Sequence, residues 1–116
     1  MRPVGIHLSY WTSRWSDDVL LILQKARDAG FDGAELPLLN PTAMDFPALR
    51  QEANRLGLQL TCCTGLPPDG DISHPDPAVR QRGIEHLMHC LDGAVEVGSP
   101  VLAGVLHLGW GAPIPE

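Results

Sequence analysis

The sequence predicts an α/β chain: four parallel strands with three helices outside them, forming one side of a barrel. Three observations predict it. Short apolar or alternating segments take turns with segments of helical period, in the order β-α-β-α-β-α-β. The connections are short, so the helices themselves must be the crossovers of a parallel sheet, and such crossovers are right-handed. In the first strand, Val4, Ile6 and Leu8 point one way and Gly5, His7 and Ser9 the other. In a sandwich the second set would face water. In a parallel barrel it faces the interior, where ligands sit at the C-terminal ends of the strands.

Strand one covers residues 3–9 and runs into a loop with Tyr10, Trp11 and Trp15. Ser16 is the expected N-cap of helix one, followed by Asp17 and Asp18 at the positive end of the dipole. Leu20, Ile22, Leu23, Ala26 and Ala29 carry the helical period. Lys25 and Arg27 lie near the negative end, and Gly30 is the left-handed C′ residue. Strand two is Phe31 to Leu38, with Glu35 inside an apolar run. Two readings of Glu35 stand side by side: a charge at a strand end with a hydrogen-bond partner, or a carboxylate facing the barrel mouth.

Asp45 and Phe46-Pro47 open helix two, since Pro suits a first turn. Leu49, Ala53 and Leu56 form its buried stripe, and Gly57 ends it. Strand three is Leu58 to Gly65, followed by the turn-rich loop L-P-P-D-G-D-I-S-H-P. Loops at that end of a barrel carry function. Asp76-Pro77 starts helix three as N-cap and N1. Val79, Gly83, Leu87, Cys90, Ala94 and Val97 are its predicted apolar face. Ser99 to Trp110 is strand four and its exit.

Composition bounds the function. With 116 residues, 44% hydrophobic and 19% charged, the chain is one globular domain. A net charge of −6 argues against nucleic acid or an anionic membrane, which need clustered Lys and Arg. Three cysteines without a framework spacing, Cys62, Cys63 and Cys90, read as reduced thiols. Nothing resembles a signal-peptide core or a bilayer span, so the expected location is cytoplasmic.

The segments V-G-I-H-L-S-Y-W-T-S-R-W, A-G-F-D-G-A-E-L, L-T-C-C-T-G-L, S-H-P-D-P-A-V-R and V-L-A-G-V-L-H-L-G-W together resemble the D-tagatose 3-epimerase and D-psicose (allulose) 3-epimerase family. That family belongs to the xylose-isomerase-like TIM-barrel sugar isomerases and epimerases. The resemblance runs along essentially the whole chain but covers only the family's N-terminal portion. It implies that residues 1–116 are the N-terminal half of a (β/α)8 barrel, a half barrel with later strands absent. A full barrel takes roughly 250 residues.

The resemblance also implies a reaction: inversion at C3 of a free ketohexose by deprotonation and reprotonation between two glutamates. A divalent cation (Mn, Co or Mg) would hold neighbouring sugar oxygens. A cation on enediolate oxygens stabilises the charge developing there. The family's metal ligands and both catalytic glutamates fall beyond Glu116. No catalytic and no metal residue is therefore assigned to this chain, and no cation is expected to bind it alone.

What the resemblance carries over is the substrate wall: His7, Trp15, Cys63, Val105 and Trp110. His7 departs from the aromatic common at its position, which bears on the sugar's far end. Each residue also has a plainer reading. Trp15 and Trp110 can be hydrophobic filler at the barrel end, and the cysteines two small core residues. His7 can be a hydrogen-bonded core histidine. His86 and His89 read as solvated, His74 as a turn residue. His107, alternating with Val105, reads as inward-facing, and a lone histidine makes no metal site.

Other readings stand beside the epimerase. One keeps the superfamily with another substrate: hydroxypyruvate isomerase, inosose dehydratase or a sugar-phosphate isomerase. Another is a non-catalytic half barrel that self-associates through its open edges. The resemblance implies a small-molecule ketose as partner and a homo-oligomer for the complete protein.

Overall fold

The computed structural model describes residues 1–14 and 18–111. Four strands, β1 (Gly5–His7), β2 (Gly33–Pro37), β3 (Gln59–Leu66) and β4 (Leu102–Gly109), form one sheet in the order β1-β2-β3-β4, and every neighbouring pair is parallel. Helices α1 (Val19–Asp28), α2 (Phe46–Leu56) and α3 (Pro77–Val97) are the crossovers. This is the predicted architecture, half of a parallel barrel.

Helix ends follow the capping chemistry, with one correction. The cap of α1 is Asp18, whose carboxylate accepts the Leu20 amide at 3.0 Å, and the helix opens at Val19. Ser16, the expected cap, lies outside the described residues. Asp45 and Asp76 cap α2 and α3 as predicted, each with Pro in the first turn. All three helices close alike. Phe31, Leu58 and Ser99 donate backbone N–H groups to Ala26, Ala53 and Ala94 across a glycine with positive φ, namely Gly30, Gly57 or Gly98.

The core lies on the helix-facing side of the sheet. Leu36, Leu38, Leu60 and Cys62 meet Leu23 and Ala26 of α1, Phe46, Leu49 and Ala53 of α2, and Cys90, Ala94 and Val97 of α3. On β3 the alternation is complete: Leu60, Cys62, Thr64 and Leu66 are buried, while Thr61, Cys63 and Gly65 are half-buried on the inner face.

Strand one is shorter than expected. Leu8–Tyr10 is a 3-10 turn, because the Ser9 amide donates to His7 Nδ1 rather than to a neighbouring strand. Leu8 is still fully buried in the core, but Val4 is exposed. Strand four is irregular. Gly65 pairs with Val105 and Leu66 with Gly109, so residues 106–108 are extra and bulge from the ladder. Gly104, at φ 135°, makes the close approach there: a Cβ on it would run into the Thr64 carbonyl oxygen. The bulge interrupts the alternation on which the inward reading of His107 rests; His107 is exposed, as is Val105.

Helix α3 is rotated slightly from its predicted face. Gly83, Cys90, Gly93, Ala94 and Val97 are buried, and Val79 and Leu87 only half-buried. Ile84, Met88, Leu91 and Val95 form an exposed apolar stripe on the same helix. Among the described residues, no helix is long and apolar enough to cross a membrane.

Candidate functional site

The C-terminal ends of the strands surround an open hollow of about 610 Å³. His7 of β1, Pro37 of β2, Cys63 and Gly65 of β3, and Val105 of β4 form its floor. Trp110, in the turn after β4, lies along one side. Four of the five residues assigned to a substrate wall, His7, Cys63, Val105 and Trp110, thus share one cavity. Trp15 lies outside the described residues. Tyr10 and Trp11 do not line the hollow: Trp11 packs edge-on against Phe31, with ring centroids 6.4 Å apart, and Tyr10 is exposed.

Register explains the meeting of residues far apart in sequence. His7 stands directly opposite Glu35, and Pro37 opposite Cys63, so the inner face brings His7, Glu35 and Cys63 together. His7 Nε2 is 3.2 Å from Cys63 Sγ. Its Nδ1 accepts from the Ser9 amide at 3.1 Å and lies 2.6 Å from Ser9 Oγ. An accepting Nδ1 leaves the ring proton on Nε2, so the imidazole N–H donates to the Cys63 sulfur. His7 is therefore hydrogen-bonded and also faces the cavity. Burial, followed by the Glu35 carboxylate and Cys62, pushes the Cys63 thiol up to about 11. It is a neutral thiol at ordinary pH, fit to pack and hydrogen-bond rather than attack.

Cys62 points the other way. It is fully buried in the core, where burial raises its pKa too. The plain reading of both cysteines as core residues holds for Cys62 only. Glu35 is half-buried on the inner face. Its ligand atom, one from His7 and the Cys63 sulfur lie within 4.8 Å of one another. Sequence alone gave no reason to join these three.

Sequence reasoning also missed His86 and Asp71. His86 is half-buried and lines the hollow, against the expectation of a solvated residue. The Thr64 hydroxyl donates to the Leu38 carbonyl at 2.8 Å, so His86 Nε2, 2.8 Å away, donates to the Thr64 oxygen. Burial lowers the His86 pKa, partly opposed by the Gly65 backbone. The available signal was spacing: His86 stands four before Cys90 and three after Gly83 on the buried face. His89, in contrast, is exposed as expected.

Asp71 is buried and ties the loop after β3. Its Oδ1 accepts from Ser73 N at 2.7 Å and Ser73 Oγ at 2.6 Å. Hydrogen bonds from Ser73 and then from the Gly109 backbone hold its pKa below the usual carboxylate value. The Trp110 amide donates to the Leu66 carbonyl at 2.9 Å. These bonds fasten the exits of β3 and β4 together and hold Trp110 at the cavity.

Similar proteins agree with this geometry. The L-ribulose 3-epimerase of Mesorhizobium japonicum is 37% identical over 112 residues, covering 96% of this chain and 38% of that protein. The ketose 3-epimerase of Arthrobacter globiformis is 32% identical over 105 residues, covering 90% of this chain and 36% of its own. A solved L-ribulose 3-epimerase superposes with a TM-score of 0.86 at 35% identity, over all of this chain and 40% of that one. A D-psicose 3-epimerase solved in the presence of D-fructose gives 0.85 at 26% identity, over 98% and 42%. The chain therefore spans about two-fifths of the length of the relatives it matches. The family model described as xylose isomerase-like TIM barrel matches residues 23–116, and with the parallel half barrel this places the chain in the xylose isomerase-like TIM-barrel family.

Proposed function

We propose that the chain forms the substrate wall of a ketose 3-epimerase, an enzyme inverting C3 of a free ketose. The observation that carries this reading is the hollow itself. Residues from all four strands line a cavity of about 610 Å³ at the strands' C-terminal ends, large enough for a monosaccharide. Trp110 offers an aromatic face to sugar C–H groups, and Cys63 and Val105 supply the apolar floor. His7 would donate its Nε2–H to a sugar oxygen in place of the Cys63 sulfur, and its Nδ1 bonds to Ser9 fix the ring orientation.

This chain binds and orients; it does not supply the proton-transfer pair. The resemblance implies Mn²⁺, Co²⁺ or Mg²⁺ for the complete enzyme, and of these Mn²⁺ and Mg²⁺ prefer oxygen ligands. The one close donor set among the described residues has a single carboxylate and a thiol, and the thiol does not suit Mn²⁺ or Mg²⁺. The carboxylates that would abstract and return the C3 proton belong, on this reading, to later strands of the barrel. Cytoplasmic location and homo-oligomerisation of the complete protein belong to the same proposal.

A chimera tests it. Residues 1–111 would replace the matching stretch of the Mesorhizobium japonicum epimerase. C3 epimerisation of L-ribulose, D-psicose and D-tagatose would then be measured. The expected result is an active chimera that loses about tenfold or more in kcat/KM on Trp110→Ala. A folded chimera without activity on any of these ketoses would sink the proposal.

A second reading, self-association of the half barrel, is favoured by the stripe Ile84, Met88, Leu91 and Val95. Among the described residues, β1 and β4 are also sheet edges without a further strand. Light scattering on the 116-residue chain decides it: a monomer at high micromolar concentration ends this reading.

A further inference from the structure

We infer that His7, Glu35 and Cys63 form a binding site for one thiophilic divalent cation of the zinc type, separate from any ion bound by all-oxygen ligands. The inference rests on donor geometry alone and not on the substrate reading. Three neighbouring strands each supply one donor to the inner face: nitrogen from β1, carboxylate oxygen from β2, sulfur from β3. The three ligand atoms lie within 4.8 Å of one another. In a tetrahedral zinc site, with metal–ligand bonds of about 2.0–2.3 Å, ligand atoms stand roughly 3.5 Å apart. The His7 Nε2 to Cys63 Sγ distance is already 3.2 Å. Glu35 closes the remaining gap by side-chain rotation, and its position directly opposite His7 keeps it in reach.

The donor types select the ion. Thiolate and imidazole with one carboxylate favour Zn²⁺ and Co²⁺ over Mg²⁺, Ca²⁺ and Mn²⁺. Placement on strands rather than on a loop lowers the ordering cost. His7 and Glu35 face one open hollow and His7 and Cys63 the adjoining one, which leaves a fourth position for water or an incoming ligand.

The neighbour of His7 completes the arrangement. Metal on Nε2 requires the ring proton on Nδ1, where Ser9 Oγ stands 2.6 Å away, ready to accept it. Outer hydrogen bonds of this kind orient metal-bound histidines. The Ser9 amide gives up its bond to Nδ1 in exchange. At Cys63 the metal replaces the thiol proton, which passes to solvent, and no redox step is involved. Cys62 and Cys90 are buried on the opposite side of the sheet and cannot join the site.

Because His7 and Cys63 also line the hollow assigned to the sugar, a zinc-loaded chain would exclude sugar from that wall. The test uses no sugar, so its outcome and that of the epimerase proposal are independent. Co²⁺ serves as the spectroscopic probe on the intact 116-residue chain. The expected result is a sulfur-to-cobalt charge-transfer band that saturates at one equivalent and is displaced by Zn²⁺. Cys63→Ser should abolish the band, and Cys90→Ala should keep it. His7→Gln, Glu35→Gln and the positioning variant Ser9→Ala should each weaken binding about tenfold or more, with circular dichroism confirming the fold. Absence of the band in the wild-type chain at millimolar Co²⁺, or its persistence in Cys63→Ser, would overturn the inference.

Discussion

Cys62 and Cys63 are adjacent in sequence and live in different media. Cys62 is sealed between β3 and the helices, in contact with the apolar core. Cys63 looks into the open half of the barrel, hydrogen-bonded to His7 and close to Glu35. The same division separates the two faces of the whole sheet. The outer face is dry and filled by leucines; the inner face holds His7, Glu35, Thr61 and Cys63. Stability is therefore concentrated on one face and chemistry on the other. A single step along a strand moves a side chain between them.

Truncation separates the faces most strongly. Leu36→Ala removes a fully buried side chain and should cost about 2–5 kcal/mol in urea unfolding. Thr61→Ala, one strand over on the inner face, should change stability by under about 0.5 kcal/mol. Equal losses would erase the division between the faces.

Thiol reactivity is the next largest contrast. With its pKa pushed up to about 11 from 9.0, Cys63 should alkylate on the order of a hundredfold more slowly than a free cysteine at pH 8. Cys62 should react only when the chain opens, because no reagent reaches it in the fold. Mass spectrometry of the labelled peptides distinguishes the two sulfurs. Faster labelling of Cys62 than Cys63 would break the comparison.

A buried polar knot tests the outer face more gently. Thr64→Val removes the 2.8 Å hydroxyl partner of His86 Nε2 and of the Leu38 carbonyl, leaving each only the longer contact to Cys90 Sγ at 3.5 Å. The expected cost is about 1–3 kcal/mol, read from the urea midpoint. No loss would mean that water replaces the hydroxyl there.

The smallest expected effect is a pH dependence from His86. Burial sets its folded pKa below the ordinary 6.5, so the unfolded chain binds more protons as pH falls. Its contribution is complete above about pH 6.5 and is lost as pH drops toward the lower folded value. His86→Gln should flatten the urea midpoint between pH 7 and pH 5. An unchanged slope would put His86 in water, where the sequence first placed it.

The contrast between Asp76 and His86 shows where sequence reading succeeds. Asp76-Pro77 announced the start of α3 because capping is local: the carboxylate reaches an amide two residues on. The burial of His86 depends on the rotation of α3, set by Phe46 of α2 and the Thr64 side of β3, neither of which is local. The family resemblance sets Cys63 apart from Cys62, and the burial alternation of β3 accords with it. Alternation is no guide at His107, where the bulge after Gly65 changes the count.

Sequence by itself determined the alternation of strands and helices, the aspartate caps of α2 and α3, the glycine ends and the side-chain parity along the regular strands. These depend on neighbours a few positions apart, whose geometry the backbone dictates. Tertiary structure alone decided that His7, Glu35 and Cys63 converge, and that Trp110 is tied beside them. Convergence depends on interstrand register and on the irregular end of β4. Those follow from how three helices pack on the sheet, a balance of many long-range contacts that no short stretch of sequence contains.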